Sequence, residues 1–200
     1  MTSGTGRFNQ LWTVAAHGGL PERLPLPYGE FGAIADDGTT LAYQTITRDF
    51  RTWKRYRGGM APDIWLFDLA SKTARNVTDD VANDAQPMWH GRTLYFLSDR
   101  GPAMRGNIWA HDLDAGTFRQ LTHFTDFDVR FPAIGPEDLV FEAGGELWRL
   151  DLETERTTKV EVRVVTDGST LRSRQVPVGD MIANAHPSPS GKRVVVEARG

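Results

Sequence analysis

Apolar residues fall along this chain in short runs, four to six residues long, that do not repeat at helical spacing. "LYFLS" (94–98), "LVFEA" (139–143) and "VVVEA" (194–198) are rich in aromatic and β-branched side chains, and each follows a turn-forming cluster, "HGRT", "GPED" and "PSGK". Such runs, bounded by Gly, Pro, Asp and Ser, read as β-strands joined by tight turns. "IWLFDL" (64–69) is apolar on both faces, the mark of a strand covered from each side. An all-β fold is expected throughout.

The runs belong to a larger repeat. "DIWLFDLASKTARNVT" (63–78) aligns with "NIWAHDLDAGTFRQLT" (107–122) and "ELWRLDLETERTTKVE" (146–161), which superimposes Trp65, Trp109 and Trp148 at spacings of 44 and 39 residues. The segments 85–101, 130–145 and 185–200 also align, with Pro87, Pro132 and Pro187 matched, and a weaker copy occupies 9–46. Units of about 40 residues with short strands predict four-stranded blades stacked radially, a β-propeller fragment of about four blades of short antiparallel strands. The units run approximately over 1–27, 28–78, 85–122 and 130–164, and a further one begins at 182–200, so that 1–200 forms one partial propeller domain. Each Trp is expected on a strand inside its sheet, filling the gap between blades, with Asp112 and Asp114 as turn residues before the outer strand "FRQLT".

Composition narrows the chemistry. The chain has 200 residues, 40% hydrophobic and 24% charged, as expected of a folded domain. A net charge of -3 offers no basic field for nucleic acid, so no nucleic-acid partner is expected. The absence of cysteine removes disulfides, thiolate metal sites and a cysteine nucleophile, and agrees with a reducing compartment. No apolar run approaches a membrane span and no secretory leader is evident, which predicts a cytoplasmic protein with no membrane partner.

The most unusual local feature is a basic aromatic segment, Arg48, Arg51, Trp53, Lys54, Arg55, Tyr56 and Arg57, in a loop that stretches the first Trp spacing to 53 residues. Long loops in compact repeats often carry function. Three readings compete: a contact surface for a neighbouring domain or subunit, an electrostatic guide for peptide C-termini, and a solvated loop whose Trp53 and Tyr56 cap a blade. Asp126 and Asp128 in "TDFDVRFP" are read as a pairing network on one strand face with Arg130, in preference to a metal site. The five histidines lack zinc-motif spacing, and Ser188 and Ser190 lie in a turn sequence without a GxSxG elbow. No catalytic, cofactor or metal residue is assigned.

"RDFRTWKRYRGGMAPDIWLFDL" (48–69), "YFLSDRG" (95–101), "RQLTHFTDFDVRFPAIG" (119–135) and "LVFEAGGELWRLDL" (139–152) together resemble the six-bladed propeller of tricorn proteases, over nearly the whole chain. The "IWxxDL" and "SPxGKR" units more broadly resemble TolB-type WD40-like repeats. The first resemblance implies a second, seven-bladed propeller, a PDZ domain and a serine peptidase core in the same polypeptide, assembled as a homo-hexamer that degrades oligopeptides. It also implies that the chain starts near the third blade, that the missing blades and peptidase domains are its partners, and that these 200 residues are catalytically inactive and need no cofactor. Alternatives are a non-enzymatic TolB-like interaction module and the propeller lid of a prolyl-oligopeptidase-type enzyme, because propellers host unrelated functions.

Overall fold

The structure, a computed structural model, describes residues 2–3, 8–47, 54–168 and 171–198. Two compact units divide it, one running to Val162 and the other from Arg163. The first contains a three-stranded sheet, β1 (Thr2–Ser3), β2 (Gln10–Thr13) and β3 (Glu22–Arg23), followed by three four-stranded antiparallel sheets. Blade II holds β4 (Glu30–Ile34), β5 (Thr40–Gln44), β6 (Ile64–Asp68) and β7 (Ala74–Asn76). Blade III holds β8 (Asp84–His90), β9 (Thr93–Ser98), β10 (Asn107–Asp112) and β11 (Thr117–Gln120). Blade IV holds β12 (Val129–Ile134), β13 (Asp138–Ala143), β14 (Glu146–Asp151) and β15 (Thr157–Lys159). Strands meander in sequence order, and the first strands β4, β8 and β12 lie beside one another from blade to blade. This is the blade arrangement of a β-propeller.

Three apolar layers lie between successive sheets, and each is built from two of them. Leu11, Leu24 and Leu26 meet Leu41, Tyr43 and Phe67 with Trp65 against them. Ala42, Ile64 and Leu66 meet Trp89, Leu94 and Phe96 with Trp109. Ile108, Ala110 and Leu121 meet Leu139, Phe141 and Leu150 with Trp148. The repeated Trp of each blade therefore packs into the layer shared with the blade before it, as its spacing predicts.

The third and fourth strands of each blade are joined by the same turn. Asp68 Oδ1 accepts the amides of Ala70 and Ser71, Asp112 Oδ1 those of Asp114 and Ala115, and Asp151 Oδ1 that of Thr154. The aspartates of the repeat are thus turn residues, because a carboxylate accepts the backbone amides that a tight turn leaves unpaired. Asp114 lies within that turn as well, with its carboxylate at the surface 2.8 Å from Arg92.

A second shared feature has no signature in residue type. The first strand of each blade carries a bulge, between Glu30 and Ala33, Ala85 and Met88, and Arg130 and Ala133. Within each, a non-glycine residue adopts positive φ: Phe31 (48°), Gln86 (54°) and Phe131 (49°). Such backbone is strained for a bulky side chain, at a cost of about 1–3 kcal/mol.

The second unit holds one 3-10 turn, Gly179–Met181, and the hairpin of β16 (Ile182–Pro187) and β17 (Val194–Ala198). All six residues of β16 are exposed. Here the matched prolines separate. Pro87 and Pro132 sit inside their bulges, whereas Pro187 is the last residue of β16, opposite Val194. The turn from Ser188 to Arg193 is closed by Ser188 N–H to the Arg193 carbonyl at 2.7 Å, and it displaces the register that the sequence alignment implies. Ser188 Oγ lies 3.2 Å from Ser190 Oγ and accepts the Arg193 amide, in keeping with a turn role for both serines.

Candidate functional site

Of the basic aromatic segment, Arg48, Arg51 and Trp53 lie outside the described residues, and Lys54, Arg55, Tyr56 and Arg57 can be placed. They belong to the connection between β5 and β6 of blade II, but their partners are in blades III and IV. The Arg57 guanidinium donates from Nη1 to both carboxylate oxygens of Asp99, at 2.8 and 2.9 Å, and from Nη2 to the Asp99 carbonyl at 3.3 Å. Asp99, just after β9, also accepts the backbone and side-chain amides of Asn83, both at 2.8 Å, and Asn83 Nδ2 donates onward to the Tyr56 carbonyl at 3.1 Å.

Blade IV supplies the second anchor. Asp128, just before β12, accepts Lys54 Nζ at 2.7 Å, the Gly106 amide at 3.0 Å and Arg55 Nη2 at 3.4 Å, while Arg55 Nε donates to the Met104 carbonyl at 2.7 Å. Burial pushes the Asp128 carboxyl up, but the Lys54 hydrogen bond, the Gly106 amide and the charges of Lys54 and Arg55 outweigh it and hold the group below its usual value. The loop is therefore a clasp across three blades.

Gly58 makes the clasp compact: a Cβ there would collide with the Tyr56 ring, which folds back onto the chain and would have to swing away for any larger residue. The Asp126–Asp128 reading is corrected in its details. Residues 125–127 form a bend and the strand starts only at Val129, so the two carboxylates do not share a strand face with Arg130, and Asp128 pairs with Lys54 and Arg55 from blade II.

The clasp borders a cavity of about 150 Å³ at the entrance to the first strands, lined by Lys54, Arg55, Asp99, Asp128, Arg130 and Phe131 among others. Gln86 also lines it. A groove of about 310 Å³ continues along the bulges, between Phe31 of blade II, Gln86, Pro87 and Met88 of blade III, and Phe131 and Pro132 of blade IV. Phe31 and Phe131 are 42% and 54% exposed, which makes them unusual as bulky apolar residues on strained backbone. Gln86 is buried, and its amide donates to Gln44 Oε1 of the preceding blade at 2.7 Å. Sequence reasoning missed this wall. Pro87 and Pro132 follow the strained position in two of the blades and Gly32 follows it in the third, so no shared residue type marks it.

Beside the clasp lies a buried ion pair, Asp84 with Arg100, whose Nη2 reaches Asp84 Oδ2 at 2.6 Å. Burial drives the Asp84 carboxyl up to about 6, and the Arg100 charge only partly opposes this. Arg100 is also held by Ser98 Oγ and stacks over Trp109 and Phe118. Two of the five histidines have structural partners: His90 Nε2 is 2.9 Å from the Pro136 carbonyl, and His111 stacks on Phe118 at 4.0 Å. Among the described residues, no group of three or more His, Asp or Glu side chains could hold a metal ion. No helix among them is long and apolar enough to cross a membrane.

Comparison with known proteins places this architecture. Residues 1–156 match the family described as the tricorn protease N-terminal beta propeller domain. A tricorn protease homolog of Saccharolobus solfataricus is 27% identical over 196 residues, which is 97% of this chain and 18% of that protein. The chain thus spans less than a fifth of that curated relative's length. The crystal structure of the tricorn protease superimposes with a TM-score of 0.57 at 18% identity, over 93% of this chain and 23% of that one. TolB from Acinetobacter baumannii gives 0.56 at 20% identity, over 94% of this chain and 42% of that one. At such identities both likenesses establish the propeller fold alone. With the match to residues 1–156 joined to blades that meander, bulge and pack alike, the chain belongs to the family of tricorn protease N-terminal β-propeller domains.

Proposed function

We propose that this chain is the propeller portion of a tricorn-like serine peptidase that degrades oligopeptides, acting as scaffold and as channel or gate for peptides. The observation that carries the reading is the family match over residues 1–156, together with a curated relative that is itself named a tricorn protease homolog and is more than five times as long. Peptide-bond hydrolysis is then acyl transfer by a serine with an oxyanion hole, outside these 200 residues. The clasp contributes in two ways. It ties the blades together, and its three cations, Lys54, Arg55 and Arg57, meet two carboxylates, Asp99 and Asp128, which leaves a net positive charge beside the first strands. That charge favours the entry of a peptide's C-terminal carboxylate.

The cysteine-free composition suits a reducing cytoplasm, to which we assign the whole protein, with the homo-hexamer as part of the same proposal. The TolB likeness supports only the fold, so a non-enzymatic module has no observation of its own in its favour.

The test compares the full-length peptidase with a version lacking the propeller on two substrates, a blocked dipeptide reporter and a peptide of about ten residues. A gate predicts that reporter hydrolysis survives while the longer peptide is cleaved more slowly or trimmed without selectivity. Equal loss on both substrates would overturn the gating role.

A further inference from the structure

Three successive first strands place a residue at the same bulge, at the same positive φ, on the same wall: Phe31, Gln86 and Phe131. A bulge whose only task was to bend the strand would be relieved by Gly or Asn, which reach this backbone at lower cost. Phenylalanine carries the strain and also leaves its ring exposed, so two penalties coincide at Phe31 and again at Phe131. Observed strain of this kind points to a function at that position.

The first strands are also sheet edges, which could capture an extended peptide by strand addition. Pro87 and Pro132 remove an amide donor from two of those edges, next to the bulges, and weaken that mode of capture. What remains to meet a ligand is the pair of rings with the Gln86 backbone between them. This apolar groove adjoins the cationic cavity at Gln86 and Phe131, which line both. A peptide whose carboxylate enters the cationic end lays its preceding side chains on the rings.

We propose that Phe31 and Phe131 are specificity-determining residues, which select peptides bearing large aliphatic or aromatic side chains near their C-terminal end. The proposal rests on the peptide-channel reading above. The rings act by burying apolar surface of the passing side chain, a contact strong enough to discriminate and weak enough to release.

The experiment uses the full-length protein, with its peptidase serine blocked by a covalent inhibitor, and four fluorescent hexapeptides, with Phe-Leu or Ser-Ser at the last two positions, each as free acid and as C-terminal amide. Binding is measured by anisotropy. The wild-type chain is expected to bind the Phe-Leu acid about fivefold or more tighter than the Ser-Ser acid. In Phe31→Asn with Phe131→Asn the preference falls to about one, while the preference for acid over amide and the Tm are retained, because Asn tolerates positive φ. Phe31→Asn combined with Phe131→Leu keeps part of the preference. Apolar preference unchanged in the double variant overturns the proposal. Binding that depends on the carboxylate but never distinguishes Phe-Leu from Ser-Ser also overturns it and leaves the channel reading intact. Failure of all four peptides to bind overturns both.

Discussion

At the scale of single residues, the most consequential groups are carboxylates whose surroundings pull them in opposite directions. Asp84 is fully buried, and its folded value of about 6 lies above the ordinary 3.8. Between those values the folded chain binds more protons than the unfolded chain, so stability falls as pH rises through the window, by on the order of 3 kcal/mol. Asp84→Asn removes this dependence, with Arg100 still held by Ser98 and its aromatic neighbours. Urea melts at pH 4 and pH 6.5 are expected to show a steeper loss for wild type than for the variant, and parallel losses would disprove the assignment. Asp128 behaves oppositely. Its value is held below 3.8, so its contribution is complete at neutral pH and disappears as pH falls below that figure.

At the scale of elements, strands and turns were legible because each has a local cause. The Trp spacing marked the third strands, and Asp68, Asp112 and Asp151 marked the turns, since a short carboxylate caps a turn wherever the chain reverses. The bulges were not legible, because Phe, Gln and Phe share no propensity for left-handed backbone, and the fold imposes it on them. The partners of the basic loop were hidden for another reason. Arg57 finds Asp99 across 42 residues and Lys54 finds Asp128 across 74, distances at which no local pattern operates. The matched prolines misled, because a longer turn in the β16–β17 hairpin shifts the register.

The same element scale sets the strength of the clasp. Side-chain exposure is 30% for Arg57 and 12% for Asp99, against 69% and 64% for the surface pair Arg92 and Asp114. A double-mutant cycle to alanine is expected to give a coupling of about 1–2 kcal/mol for the first pair. The second should give about 0.5 kcal/mol or less, because solvent screens it. Similar couplings for both would mean that the loop is no more than a solvated connection.

At the scale of the whole molecule, the apolar layers join only successive sheets, which makes stability close to a sum of neighbouring interfaces that can open from the ends. The loop from blade II breaks that rule, since it grips Asp99 beyond β9 and Asp128 before β12. Opening the layer between blades III and IV must also release Lys54 and Arg55. Amide hydrogen exchange should therefore report blades II to IV as a single cooperative unit with one opening free energy. The β16–β17 hairpin, with every residue of β16 exposed, should exchange far faster. Asp128→Asn is expected to split that unit, and β12 to β15 would then lose protection before β4 to β11 do. The loop for which a peptide-guiding role is proposed would in that case also determine how much of the propeller breathes at once.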